Sequence, residues 1–174
     1  MVTEDQHEVV AFLLRAATHG PACAVVEHIE THSAMVFLAG DRALKLKRAV
    51  RYDYLDFSTA ERRRQCCEAE VSLNRRVAPT IYRGVVAVTR EHDGQLALGG
   101  AGQPVDWLVD MTRFDGAQLA DRLADAGRLP VSAMAALAAA VVAFHAGAEP
   151  RPDKGGAAGL RWVIDGNRSA CAEL

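Results

Sequence analysis

Lys45 and Lys47 stand two positions apart in the run Ala43-Leu44-Lys45-Leu46-Lys47. Side chains alternate between the faces of a strand, so both ammonium groups project from one side and Leu44 and Leu46 from the other. A rigid strand carrying two cations on one face is suited to hold a phosphate. The matching carboxylate is Glu70. On a helix from about Thr59 to Val77, advancing about 100° per residue, Cys66, Leu73 and Val77 fall near Glu70 and Glu68 falls on the far side. Glu70 is thereby predicted on the stripe that faces the sheet. A carboxylate there is costly unless a cation meets it, and the strand of Lys45 and Lys47 is the nearest source. Two plainer arrangements stay open: the lysines on a solvated strand face, and Glu70 paired with Arg63 one heptad earlier.

The flanking elements follow from local chemistry. Thr3 can cap a helix whose apolar stripe is Val9, Val10, Leu13, Ala16 and Ala17, stopped by Gly20-Pro21. Strands are predicted at 24–31, 35–39 and 43–47, joined by Thr31-His32-Ser33-Ala34 and Gly40-Asp41-Arg42 as an antiparallel meander. Ser58-Thr59-Ala60-Glu61 reads as a capping box with Ser58 as cap, opening the helix that carries Glu70. Further strands are expected at 81–88 and 105–114, and 95–98 can pair back after the His92-Asp93-Gly94 turn. From Ala117 the chain is Ala-rich, with helices near 117–126, 131–146 and from about Gly159 onward.

The 174 residues suffice for one ordinary domain or for one small domain and part of another. A net charge of −2 supplies no global basic field for nucleic acid or membrane. Arg62-Arg63-Arg64 and Arg75-Arg76 are diluted by Glu61, Glu68 and Glu70, and read as a solvated helix face. The acidic start Met1-Val2-Thr3-Glu4-Asp5 lacks a signal-peptide layout. No apolar run reaches the roughly 18 residues of a membrane span. Cys23, Cys66, Cys67 and Cys171 lack metal-type spacing and read as reduced thiols of a cytoplasmic protein. Asp106, Asp110 and Asp115 do not form a metal pattern.

The order of helix, three strands with Ala-Leu-Lys, glutamate helix, strands and linker resembles the small lobe of aminoglycoside-phosphotransferase-like kinases, a protein-kinase-like family. More narrowly, Glu30-Thr31-His32-Ser33, Val36-Phe37-Leu38-Ala39-Gly40-Asp41, Leu55-Asp56-Phe57-Ser58-Thr59 and Leu73-Asn74-Arg75-Arg76-Val77-Ala78-Pro79 resemble a bacterial group. In that group the lobe opens a phosphotransferase-like domain, often fused to a P-loop ATPase domain. The likeness covers about Val25 to Phe114 and continues more weakly to Val163-Ile164-Asp165-Gly166-Asn167. The group's Thr-His-hydrophobic-Ser pattern is altered here, since Ala34 follows Ser33 directly.

The resemblance implies an α+β fold: a five-stranded antiparallel sheet with one inserted helix and an N-terminal helix over residues 1–111, a linker at 112–116, and an incomplete helical lobe at 117–174. It implies that Lys45, with Lys47 as the alternative, binds the α and β phosphates of ATP while Glu70 orients the lysine. Thr31, His32 and Ser33 would form the loop over the phosphates. Met111 to Phe114, including Arg113, would form the linker whose backbone meets adenine. Magnesium accompanies ATP in the complete family, but its ligands and the His-Gly-Asp type of catalytic loop are missing from these residues. The only His-Gly, His19-Gly20, precedes Pro21 and lies ahead of the sheet. The expectation is therefore a nucleotide-binding part of a small-molecule kinase, not by itself competent in phosphoryl transfer. The rival is a degenerate interaction module that self-associates through uncovered helical surface.

Overall fold

The computed structural model describes residues 2–172. They form two compact units, one ending at Gly127 and the other beginning at Arg128.

The first unit is α+β. Helix α1 (His7–Leu13) precedes strands β1 (Val26–Glu30), β2 (Ala34–Ala39) and β3 (Arg42–Lys47). A small hairpin follows, β4 (Arg51–Tyr52) with β5 (Leu55–Asp56), and then helix α2 (Ala60–Asn74). Strands β6 (Tyr82–Arg90), β7 (Leu96–Leu98) and β8 (Gln103–Thr112) complete a six-stranded antiparallel sheet in the order β1-β2-β3-β8-β6-β7. The expected count of five strands is corrected to six, because Leu96–Leu98 pairs with the end of β6 and extends the sheet. Helix α3 (Ala120–Asp125) closes the unit. The second unit holds α4 (Val131–Ala146) and α5 (Gly156–Ala172).

Sequence alternation decides which face each strand residue serves. Leu44 and Leu46 are fully buried against Phe37, Leu108 and Val88, and α1 covers that face with Val9, Phe12 and Leu13. Burying a side chain such as Leu13 completely contributes about 2 kcal/mol. The opposite face of β8 and β6 receives α2 through Cys67 and Val71, which pack on Val109 with Trp107 and Met111 alongside. The β2–β3 connection turns in two residues, and Gly40 takes φ +59 at the first of them, a conformation open to glycine at little cost.

Both capping expectations shift. Helix α1 starts only at His7, where Asp5 accepts from the His7 N–H, while the Thr3 hydroxyl donates to the Ala49 and Ser58 carbonyls. Its expected continuation to Gly20 breaks after Leu13, and a separate 3-10 turn spans Ala16–His19. In α2 the cap is Thr59, whose hydroxyl accepts from the Arg62 N–H; the Ser58 hydroxyl donates to Asp56 and Glu61 pairs with Arg64. Asp56 of the β4–β5 hairpin, an element with too little apolar periodicity to predict, accepts from both the Ser58 hydroxyl and the Ser58 N–H and so takes Ser58 away from the cap. Helix α2 also ends at Asn74, short of Val77.

Candidate functional site

Helix α2 sets the site. Its buried positions are Arg63, Cys67 and Val71, one stripe at spacing four, whereas Leu73 and Val77 are exposed. The predicted stripe centred on Glu70 is therefore rotated, and Glu70 lies at its edge, reaching sideways to β3. Glu70 accepts one hydrogen bond on each oxygen: Lys45 Nζ donates to Oε1 at 3.0 Å and Lys47 Nζ to Oε2 at 2.6 Å. Its main-chain carbonyl also takes the Asn74 amide at 2.8 Å. Burial works to raise the pKa of the Glu70 carboxyl, but hydrogen bonds and charge from Lys47 and then Lys45 outweigh it. The group is held below the ordinary carboxylate range.

The two lysines, equivalent by alternation, differ in depth. The Lys47 side chain is 7% exposed, with its ammonium 4.9 Å from the Phe57 ring centroid. The Lys45 side chain is 31% exposed. It opens into a cleft of about 610 Å³ on the same face of the sheet. Ala34, Val36, Leu38 and Ala43 give this cleft an apolar floor, and Thr31, Ser33, Met111 and Arg113 stand on its walls. Five sequence-predicted residues, Thr31, Ser33, Lys45, Met111 and Arg113, are thus brought to one cavity.

The others are placed differently. His32 makes a tilted ring contact with Tyr52, 6.2 Å between centroids, and Tyr52 stacks on Tyr54. The loop is fixed by Thr31, whose hydroxyl both donates to the Ala34 carbonyl and accepts from the Ala34 N–H, each at 3.0 Å. In the linker, the Thr112 N–H donates to Ile81 and the Arg113 N–H to Asp41. Those two donors are committed to the protein and do not serve a purine. The Arg113 guanidinium bridges to Glu27 of β1 at 2.9 Å, across the cleft mouth.

Arg63 and Asp106 form the part of this region that sequence reasoning missed. Arg63 is fully buried; its guanidinium donates to Asp106 Oδ1 at 2.8 Å, to Glu4 Oε2 at 2.8 Å and to the Phe57 carbonyl at 3.0 Å. This excludes both its pairing with Glu70 and its place on a solvated arginine face. The available signal was Asp106, a lone carboxylate inside the apolar strand Val105-Asp106-Trp107-Leu108-Val109, which needs a buried cation.

Among the described residues no group of three or more His, Cys, Asp or Glu side chains is placed to hold a metal ion. Among the same residues no helix is long and apolar enough to cross a membrane.

No family model matches the chain, and no solved structure matches it. It is similar to uncharacterized proteins of Mycobacterium bovis and of two strains of Mycobacterium tuberculosis. Each is 40% identical over 117 residues, 67% of this chain and 22% of the relative. The chain thus spans about a fifth of the length of the curated relatives it matches.

Proposed function

We propose that the first unit is the nucleotide-binding part of an aminoglycoside-phosphotransferase-like kinase, with ATP held in the cleft beside Lys45. The observation that carries this is the Lys45–Glu70 bridge at the inner wall of an apolar-floored cavity. A lysine anchored by a helix carboxylate keeps one ammonium in register for the α and β phosphates. The cavity volume lies within the ordinary range for small-molecule sites. Its chemistry is divided as a nucleotide requires, an apolar floor for the base plane and a cation at the far wall for the phosphates. Lys47 supports Glu70 from the buried side, so Lys45 takes the phosphate role. Thr31 and Ser33 shape the loop above it. Phosphoryl transfer to a small molecule belongs to the larger protein of which such a lobe would form part, and the acceptor is left open.

Isothermal titration of ATP into the chain tests this assignment. Saturable binding that weakens in Lys45→Met supports it; absence of binding to the unaltered chain removes it.

A second function, self-association as an interaction module, is favoured by exposed apolar side chains in the second unit. Val131, Leu137 and Val142 of α4 and Leu160 and Trp162 of α5 are all exposed. Light scattering over a concentration series tests it: a constant monomer mass removes this alternative.

A further inference from the structure

A buried polar network lies behind the Glu70 site, and the cleft does not use it directly. Its centre is the Arg63–Asp106 pair, each side chain 1% exposed. Asp106 comes two residues before Leu108, which pairs with Leu46 near the end of β3, so in this antiparallel pair it lies past the last residue of β3. With β3 ended, Arg63 of α2 can reach it from the first turn of the helix. Gln6 completes the circuit. Its carboxamide nitrogen donates to Asp106 Oδ2 at 2.7 Å and to the Lys47 carbonyl at 3.0 Å, and its oxygen accepts the Ala49 N–H at 2.7 Å. Glu4, two residues earlier, takes the remaining arm of Arg63. One guanidinium, one carboxylate and one carboxamide therefore tie α2, β8 and the end of β3 to the segment ahead of α1.

We propose that Arg63, Asp106 and Gln6 are positioning residues for the Lys45–Glu70 pair, the N-terminal segment acting as a strap that fixes where α2 stands against β3. Arg63 precedes Glu70 by seven residues, two helical turns, so anchoring the first turn sets the height and rotation at which Glu70 emerges. Gln6 holds the Lys47 carbonyl, and Lys47 is the buried donor to Glu70, so both partners of the bridge are referenced to the same carboxylate, Asp106. A guanidinium suits this task because its rigid planar fork spreads donors over three nitrogens, here one each to Asp106, the Phe57 carbonyl and Glu4, whereas a lysine carries all its donors on one flexibly held atom. Burial works against the Arg63 charge, but the Asp106 and Glu4 carboxylates overcome it and raise its pKa, so the anchor stays ionised.

This inference rests on the nucleotide assignment of the cleft for its functional consequence, but its geometric core can be read separately. The groups facing Glu70 are Lys45 and Lys47 from β3, Tyr82 from β6 and Cys67 from α2. The experiment uses the whole chain and follows the Glu70 carboxyl carbon by NMR titration, with ATP affinity by calorimetry. Arg63→Lys and Gln6→Ala are compared with Val71→Ala, which loosens the same helix without touching the network. Loss of the strap is expected to move the Glu70 titration up toward the ordinary glutamate range and to weaken ATP about tenfold, a coupling of ordinary size between linked sites. Val71→Ala, at a matched drop in melting temperature, is expected to move neither. If Arg63→Lys does not fold, Gln6→Ala carries the test. A Glu70 titration that stays put in the strap variants, or that moves as far in Val71→Ala, overturns the proposal. If the unaltered chain binds no ATP, the nucleotide assignment falls while the Glu70 titration still decides the positioning role.

Discussion

Lys47 and Glu70 meet at 2.6 Å with the lysine 7% and the glutamate 14% exposed, while Lys45 meets the same carboxylate from the cleft side at 3.0 Å. One acid thus serves two amines of unlike depth. The deep amine secures the acid, and the shallow one is left in contact with the cavity.

Lys47→Met is expected to cost more stability than Lys45→Met. Removing the buried donor leaves a half-buried carboxylate with only a partly solvated partner, a loss of about 2 kcal/mol after allowance for solvent access. Removing Lys45 leaves Glu70 with Lys47 and costs about 1 kcal/mol or less. Urea unfolding followed by tryptophan fluorescence checks the order; equal midpoints contradict it.

Glu70 also makes stability depend on pH. Its carboxyl is held below the ordinary range in the folded chain, so the folded state keeps it ionised where the unfolded state begins to take up a proton. The corresponding stability is fully present above the unfolded carboxylate pKa and is lost as pH falls through the folded value. Replacing Glu70 with Gln is expected to flatten the fall of stability between about pH 5 and pH 3, the range where unfolded glutamates protonate. Thermal unfolding at a series of pH values measures this, and an unchanged acid slope contradicts it.

Arg63 and Asp106 are expected to behave as one unit. Asp106→Leu alone leaves Arg63 buried with a single carboxylate at its exposed end, a cost of about 3 kcal/mol or more. Arg63→Met with Asp106→Leu removes both charges and is expected to recover much of that loss. A double-mutant cycle by urea unfolding gives the coupling; strictly additive losses contradict it.

How much of this was legible in the sequence follows from the kind of force at work. The three-strand meander was readable because a period of two and a short Gly-Asp turn act locally, and the Lys45–Glu70 contact, 25 positions apart, because a carboxylate on a sheet-facing helix surface needs a cation. The strand Leu96–Leu98 was foreseen only as able to pair back, since three residues carry little pattern. The orientation of α2 was misplaced by the angular offset of its stripe. Leu73 and Val77 appear apolar but face outward, while Arg63, the most polar candidate, is inside. Periodicity counts apolar residues and cannot see a charge buried by a partner 43 positions away in β8. The depth of Lys47 was invisible for a similar reason. It depends on Phe57 and on the β4–β5 hairpin region, which no alternation in β3 reports.

The cysteines separate by environment. Burial pushes the Cys67 thiol up to about 12, and its Sγ lies against the Trp107 carbonyl. Cys171 is exposed. Iodoacetamide at pH 8 is expected to label Cys171 first and Cys67 only after unfolding, because the thiolate is the nucleophile. Peptide mapping by mass spectrometry reads the order, and early labelling of Cys67 in the folded chain contradicts its burial.

ATP binding tests the central claim most directly, by calorimetry on the unaltered chain and on Lys45→Met at equal concentration. The Lys45 ammonium is expected to contribute a charge-assisted contact of about 2 kcal/mol, so its loss weakens affinity roughly thirtyfold while the melting temperature stays near that of the parent. A chain that takes up no ATP, or one whose affinity is the same with methionine at position 45, contradicts the assignment of this cleft to a nucleotide.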